Sequence, residues 1–198
     1  MSVVLVDYGA GNLRSVSAAF ARAGAETVVS TDPDVVRSAS LAVIAGVGHV
    51  ESAARGLEPV AGALRERAEL GRPTLGICVG MQLLFEESDE GGRGLGLLRG
   101  PVRKLTARRV PHMGWNALAL RRPSRLLDGL DGADVYFAHS YAAEPSDGDV
   151  AVADVEHEGT VVAAVESGAT AGVQFHPERS AAAGARLIEN AVLWSKSA

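Results

Sequence analysis

The apolar positions of the chain fall into short unbroken runs separated by stretches of helical spacing. Runs at 3–7, 26–30, 41–45 and 74–78 are rich in Val, Ile, Leu and Ala, the pattern of strands buried on both faces. Between them, Leu13, Val16, Phe20 and Ala23 share one side of a helix predicted over 13–23, with Gly24 as its stop. Asp32 and Pro33 suit the N-cap and first position of a short second helix. Ala54, Leu57, Val60, Ala61 and Leu64 predict a helix over 50–70, with Pro59 expected to break or kink it. Met81, Leu83, Leu84 and Phe85 suit a further helix after the run at 74–78. Strand, glycine-rich loop, helix, strand is the rhythm of a parallel α/β sheet. The second half reads differently. Strands are predicted at 100–105, 134–140, 150–156, 160–166 and from 171 to a stop at His176, with a short helix at 124–130 and a closing helix at 181–194. Glu158-Gly159 suits a hairpin turn, so this half carries a smaller antiparallel portion.

Composition narrows the classes of function. The chain has 198 residues, 47% of them hydrophobic, enough for one well-cored domain spanning 1–198. Its apolar runs fall well short of the ~20 residues of a membrane span, and no basic segment precedes the first, which reads as a strand and not a signal peptide. One cysteine excludes an internal disulfide framework or a cysteine-rich zinc site, and suits a reducing cytoplasm. A net charge of −5 argues against broad nucleic-acid binding. The charged, glycine-rich stretch 86–94 reads as a solvated connector, and Arg103, Lys104, Arg108 and Arg109 as a solvated face. The run 111–116 reads as a loop that must bury Met113 and Trp115 in the core or against a partner.

The candidate chemistry centres on Gly76-Ile77-Cys78-Val79-Gly80. A strand, a turn and a helix around a central cysteine form the thiol version of a nucleophile elbow. Gly76 and Gly80 carry no Cβ and let strand and helix approach. A lone cysteine is ordinarily a small buried hydrophobe; the elbow reverses that reading here. A nucleophilic thiol needs a base, and His176 at a strand end, with Glu178 two residues on, supplies one with its orienting carboxylate. Gly46-Val47-Gly48 ends the third strand and leaves backbone N–H groups to face a ligand, while His49 reads as a surface group. Gly9-x-Gly11 is not a dinucleotide fingerprint, because its third glycine would fall at Arg14.

The run 76–82 together with Gly172-Val173-Gln174-Phe175-His176-Pro177-Glu178 resembles the class I, triad-type glutamine amidotransferases. Three further runs, at 7–16, 111–116 and 136–141, are similar to the glutaminase subunits of imidazole glycerol phosphate synthase, an enzyme of histidine biosynthesis. The resemblance implies a flavodoxin-like, mostly parallel sheet flanked by helices. It implies that Cys78 attacks the glutamine side-chain amide, that His176 moves the proton, and that Glu178 orients His176. It implies oxyanion donors at the N–H groups of Val79 and Val47, and a glutamine pocket of Gly46, Gly48, Gln82, Ser140 and Tyr141. It also implies a separate (β/α)8-barrel cyclase subunit that receives the ammonia, faced by Tyr8, Asn12, Met113, Trp115, Asn116, Tyr136 and His139. The family uses no metal or other cofactor here and contacts neither nucleic acid nor membrane. The family's usual proline before Gly-Val-Gly is Ala45 in this chain, which is expected to loosen that loop. Sister amidotransferases share the elbow and the His-Pro-Glu run but not the three further runs. A non-catalytic scaffold is disfavoured by the presence of Cys78, His176 and Glu178 together, and a cysteine peptidase of the same superfamily would turn over peptides.

Overall fold

A computed structural model describes residues 2–196. In chain order its elements are strand β1 (Val3–Val6), helix α1 (Leu13–Arg22), β2 (Thr27–Ser30), α2 (Pro33–Ser38), β3 (Leu41–Gly46), α3 (Val50–Glu69), β4 (Thr74–Cys78) and α4 (Val79–Gln82). Then follow β5 (Glu87–Ser88), β6 (Pro101–Lys104), β7 (His112–Ala117), β8 (Ala119–Leu120), β9 (Asp134–His139) and β10 (Tyr141–Ala143). The chain closes with β11 (Ala151–Glu156), β12 (Thr160–Ser167), β13 (Thr170–Val173), a 3-10 turn (Pro177–Arg179) and α5 (Ala181–Trp194).

The main sheet has eight strands in the order β2-β1-β3-β4-β13-β12-β11-β8. From β2 to β13 neighbours are parallel; β12, β11 and β8 continue the sheet antiparallel. The parallel strands β1, β3 and β4 are buried along their whole length, as their unbroken apolar runs require. Helices cover the sheet, α1 lying against α5 and α2 against α3. The strand order reverses around β1, which takes β2 on one side and β3 on the other. That reversal opens a crevice at the C-terminal strand ends, the edge where open α/β sheets bind ligands. β5, β6 and β10 form a small second sheet, and β7 and β9 an antiparallel ribbon. Among the described residues no helix is long and apolar enough to cross a membrane.

Several expectations are corrected. Helix α4 is a single turn, although Leu83, Leu84 and Phe85 are all buried. Backbone N–H groups of Leu95, Gly96 and Leu97 take the carbonyls of Leu83, Phe85 and Leu84, which a longer helix would need for itself. Helix α3 runs through Pro59 without a break. Residues 124–130 form turns and no helix: Asn190 on α5 donates to the carbonyls of Leu126 and Asp128 and fixes another path. The strand expected to reach His176 stops at Val173: the N–H of Gln174 still bonds to Ala163 of β12, but that of His176 turns to Tyr136 on β9. The stretch 86–94 is not a free connector: Glu90 accepts from the N–H of Val50 at 2.8 Å and so caps α3, whose own N-cap His49 offers no side-chain bond. From His112 on, the run 111–116 lies in β7 and is not a loop, and Met113 and Trp115 are exposed, so of the two expected burials the one in the core is excluded.

Arg67 is fully buried on α3 without a carboxylate partner. Its guanidinium donates to the carbonyls of Val36, Ala39 and Pro73 and so ties α2 and α3 to the start of β4. Burial, with the charge of Arg72 nearby, pulls its pKa down to about 10, still charged at neutral pH. Replacing Arg67 with Met strands those carbonyls, and the loss is expected to be about 3 kcal/mol or more. At this chain length that lowers the melting temperature by roughly 6–12 °C; calorimetry of the Arg67→Met protein measures it.

Candidate active site

The site begins with the backbone of Cys78. Strand β4 enters the turn with φ 54° and ψ −111° at Cys78, a conformation that costs an L-residue about 1–3 kcal/mol. Close packing holds it there. A Cβ on Gly80 would lie 1.6 Å from the Ile44 carbonyl oxygen, and one on Gly76 would lie 2.5 Å from that of Gly80. The expected glycines are therefore required by contact as well as by conformation. The turn presents Cys78, 3% exposed, at the start of α4.

β13 lies beside β4, so the chain leaving β13 brings His176 to the thiol. His176 stands beside Cys78, which helps to raise its pKa, and its Nδ1 lies 2.9 Å from Glu178 Oε1. Both side chains of that ion pair are nearly buried. Burial alone would depress the imidazole pKa; the influence of Cys78 and the bond to the Glu178 carboxylate overcome it and raise His176 to about 10. The imidazole so raised can carry a proton between Cys78 and a group beside it. Cys78, His176 and Glu178 thus lie together in the structure.

A pocket of about 210 Å³ opens beside Cys78. Val47, Gly48, Val79, Gln82, Ser140 and Tyr141 line it, as expected, together with Glu90, Met113 and His139. Gly46 stands behind it, pressed on Tyr8: a Cβ there would overlap the Tyr8 hydroxyl at 1.7 Å. Tyr8, expected on the partner side, is buried, and its hydroxyl donates to the Ala45 carbonyl at 3.0 Å, anchoring the strand end that leads into Gly46-Val47-Gly48. Burial, with the charge of Cys78 close by, raises the Tyr8 phenol, so the hydroxyl keeps its proton for that bond. His139 is buried too, because β9 alternates and points Val135, Phe137 and His139 inward. Asn12 is exposed and caps α1 through Ser15.

Met113 and Trp115 are 64% and 54% exposed. Trp115 meets Tyr136 edge-on, and the Arg179 guanidinium sits 4.0 Å over the Tyr136 ring. Asn116 lies on the same ribbon but points inward. A site residue that sequence reasoning passed over is Gln174, fully buried, whose Nε2 donates to the Cys78 sulfur at 3.7 Å while its Oε1 accepts from Gln82. A polar amide between Val173 and Phe175, two residues before the histidine, was the available signal.

The family model described as glutamine amidotransferase class-I matches residues 4–194. A protein of Geobacillus kaustophilus named imidazole glycerol phosphate synthase subunit HisH is 45% identical, over 95% of this chain and 94% of its own. One of the same name from Methanothermobacter thermautotrophicus is 42% identical, over 96% and 97%. Among solved structures, one described as a glutamine amidotransferase superposes with a TM-score of 0.78 at 19% identity, covering 98% of each chain, a likeness of fold.

Removing the carboxylate should release the histidine. In a Glu178→Gln protein a raising charge is lost while burial still lowers, so the His176 imidazole should titrate well below about 10. Nitrogen-15 NMR titration of the ring measures this; an unchanged titration would contradict the role given to Glu178.

Proposed function

The chain belongs to the class-I glutamine amidotransferases and, within them, to the glutamine amidotransferase subunits of imidazole glycerol phosphate synthase; we propose that it hydrolyses glutamine at Cys78 and delivers the ammonia to a cyclase subunit. The observation that carries the proposal is the meeting of Cys78, which lines the pocket, with His176 and Glu178.

His176 takes the proton of the Cys78 thiol as the sulfur adds to the side-chain carbonyl of glutamine, and the negative charge moves to that oxygen. The N–H of Val79 opens α4 and so has no partner within the helix; it and the N–H of Val47, across the pocket, stabilise the oxyanion. Collapse of the intermediate breaks the carbon–nitrogen bond. His176 gives its proton to the leaving nitrogen, which departs as ammonia, and a thioester remains. Water, deprotonated by the now neutral His176, cleaves the thioester to glutamate and returns the thiol. The balance is glutamine plus water to glutamate plus ammonia. Gln82, Ser140, Tyr141 and Gly48 bind the amino-acid end of the substrate.

The exposed ribbon face of Met113, Trp115 and Tyr136 with Arg179 is the docking face for the cyclase, a barrel that consumes the ammonia away from water. A free-running glutaminase would waste glutamine, so low activity is expected of the subunit alone.

Substituting Cys78 with Ala should abolish glutamine-dependent synthesis by the complex, at least about 1,000-fold in kcat, while synthesis from added ammonium salt persists. Assaying both nitrogen sources in one preparation measures this. Loss of both would overturn the division of labour, and persistence of both would overturn Cys78 as nucleophile.

A further inference from the structure

Behind the exposed ribbon face lies a pair of imidazoles with no part in the proton transfers above. His112 on β7 is cross-strand partner to His139 on β9. Both point inward and are 4% and 6% exposed. His112 Nδ1 lies 3.0 Å from His139 Nε2, and His139 Nδ1 lies 2.8 Å from the Tyr141 carbonyl oxygen.

These contacts dictate where the protons sit. A carbonyl only accepts, so His139 Nδ1 carries the hydrogen. In the neutral ring His139 Nε2 is then an acceptor, and His112 Nδ1 must donate to it. That makes His112 Nε2 an acceptor in turn, which suits the Asn116 Nδ2 group 3.4 Å away. The Asn116 amide is itself oriented, since its Oδ1 accepts from the N–H of Ala117 and its Nδ2 donates to the Glu156 carbonyl at 2.7 Å. Burial keeps both rings neutral, holding His139 down at about 3 and His112 at about 4. The donors therefore run one way, from Asn116 through His112 and His139 to Tyr141.

The chain of bonds ends in the pocket. The Tyr141 carbonyl accepts a second bond from Gln82 Nε2 at 2.9 Å, and the same nitrogen donates to Gln174 Oε1 at 3.1 Å. Both hydrogens of the Gln82 amide are thereby committed, and its oxygen is the atom it presents to a ligand. We propose that His112 and His139 are positioning residues for glutamine binding: joined in one donor-to-acceptor direction, they fix the Tyr141 carbonyl and through it the orientation of Gln82. The proposal rests on the reading of this pocket as the glutamine site. Because His112 and His139 lie on the reverse face of the ribbon that bears Met113 and Trp115, the same pair ties the docking face to the pocket.

The test separates hydrogen bonding from packing. His112 stacks on Phe137 at 4.5 Å and on His157 at 4.1 Å. His112→Phe keeps a stacking ring and loses the donor; His112→Asn loses the ring but places an amide N–H where Nδ1 stood. Steady-state glutamine hydrolysis is measured in the complex with the cyclase subunit. His112→Phe should raise KM for glutamine about tenfold with kcat changed less than about threefold, and His112→Asn should return KM to within about threefold of the parent. Synthesis from ammonium salt should be unchanged in both. A KM unaltered by His112→Phe, or raised equally by both variants, overturns the proposal. An unsubstituted complex that is silent on glutamine overturns the functional reading instead. Nitrogen-15 NMR of the unsubstituted chain at pH 7 decides the ring pair without any variant: both rings should be neutral and carry hydrogen on Nδ1. A cation, or hydrogen on Nε2 of either ring, overturns it.

Discussion

The structure depends on one strained residue. Cys78 occupies a left-handed backbone conformation that only crowding on every side can hold. Ile44 on β3 presses on Gly80, Gly80 presses on Gly76, and Met81 packs on Gly172 of β13. Each of these contacts needs a glycine, and together they bring β3, β4 and β13 to one edge. The pocket, the loop at Gly46-Val47-Gly48 and the approach of His176 all follow from that edge. Removing Tyr8 from the surface serves the same end, because its ring fills the space beside Gly46 and its hydroxyl anchors the strand end.

Around the thiol, similar burial gives opposite outcomes for the histidines. His176 and His139 are 5% and 6% exposed, yet the pKa of one is raised and that of the other lowered. The difference is the partner. His176 faces Cys78 and the Glu178 carboxylate, both of which raise it, and His139 faces a carbonyl dipole and other imidazoles. The site thus holds imidazoles of opposite tendency within one small volume. Exposed ion pairs such as Arg55–Glu51 add little to this arrangement.

Much of this was legible in the sequence, for identifiable reasons. The parallel strands announce themselves because burial on both faces forbids polar residues, and β4 was bounded correctly at 74–78. The elbow was legible because glycines flank a cysteine at the spacing a strand-to-helix turn demands. What escaped was set by distant contacts. The path of 83–85 is decided by N–H groups of 95–97, and that of 124–130 by Asn190. Glu90 became a helix cap through a residue forty positions away. Tyr8 and His139 read as surface residues because a short motif does not say which face of a loop or ribbon turns inward. The cross-strand imidazole pair requires the β7–β9 register, which no local pattern encodes.

The central claim is that Cys78, activated by His176, is the group that attacks glutamine. A diazoketone analogue of glutamine, applied to the complex during turnover and followed by peptide mass mapping, tests it most directly. The account predicts one adduct per chain, on Cys78, formed in proportion to the loss of glutaminase activity and prevented by excess glutamine. An adduct elsewhere that accompanies the inactivation, or undiminished glutamine turnover with Cys78 fully modified, would contradict it.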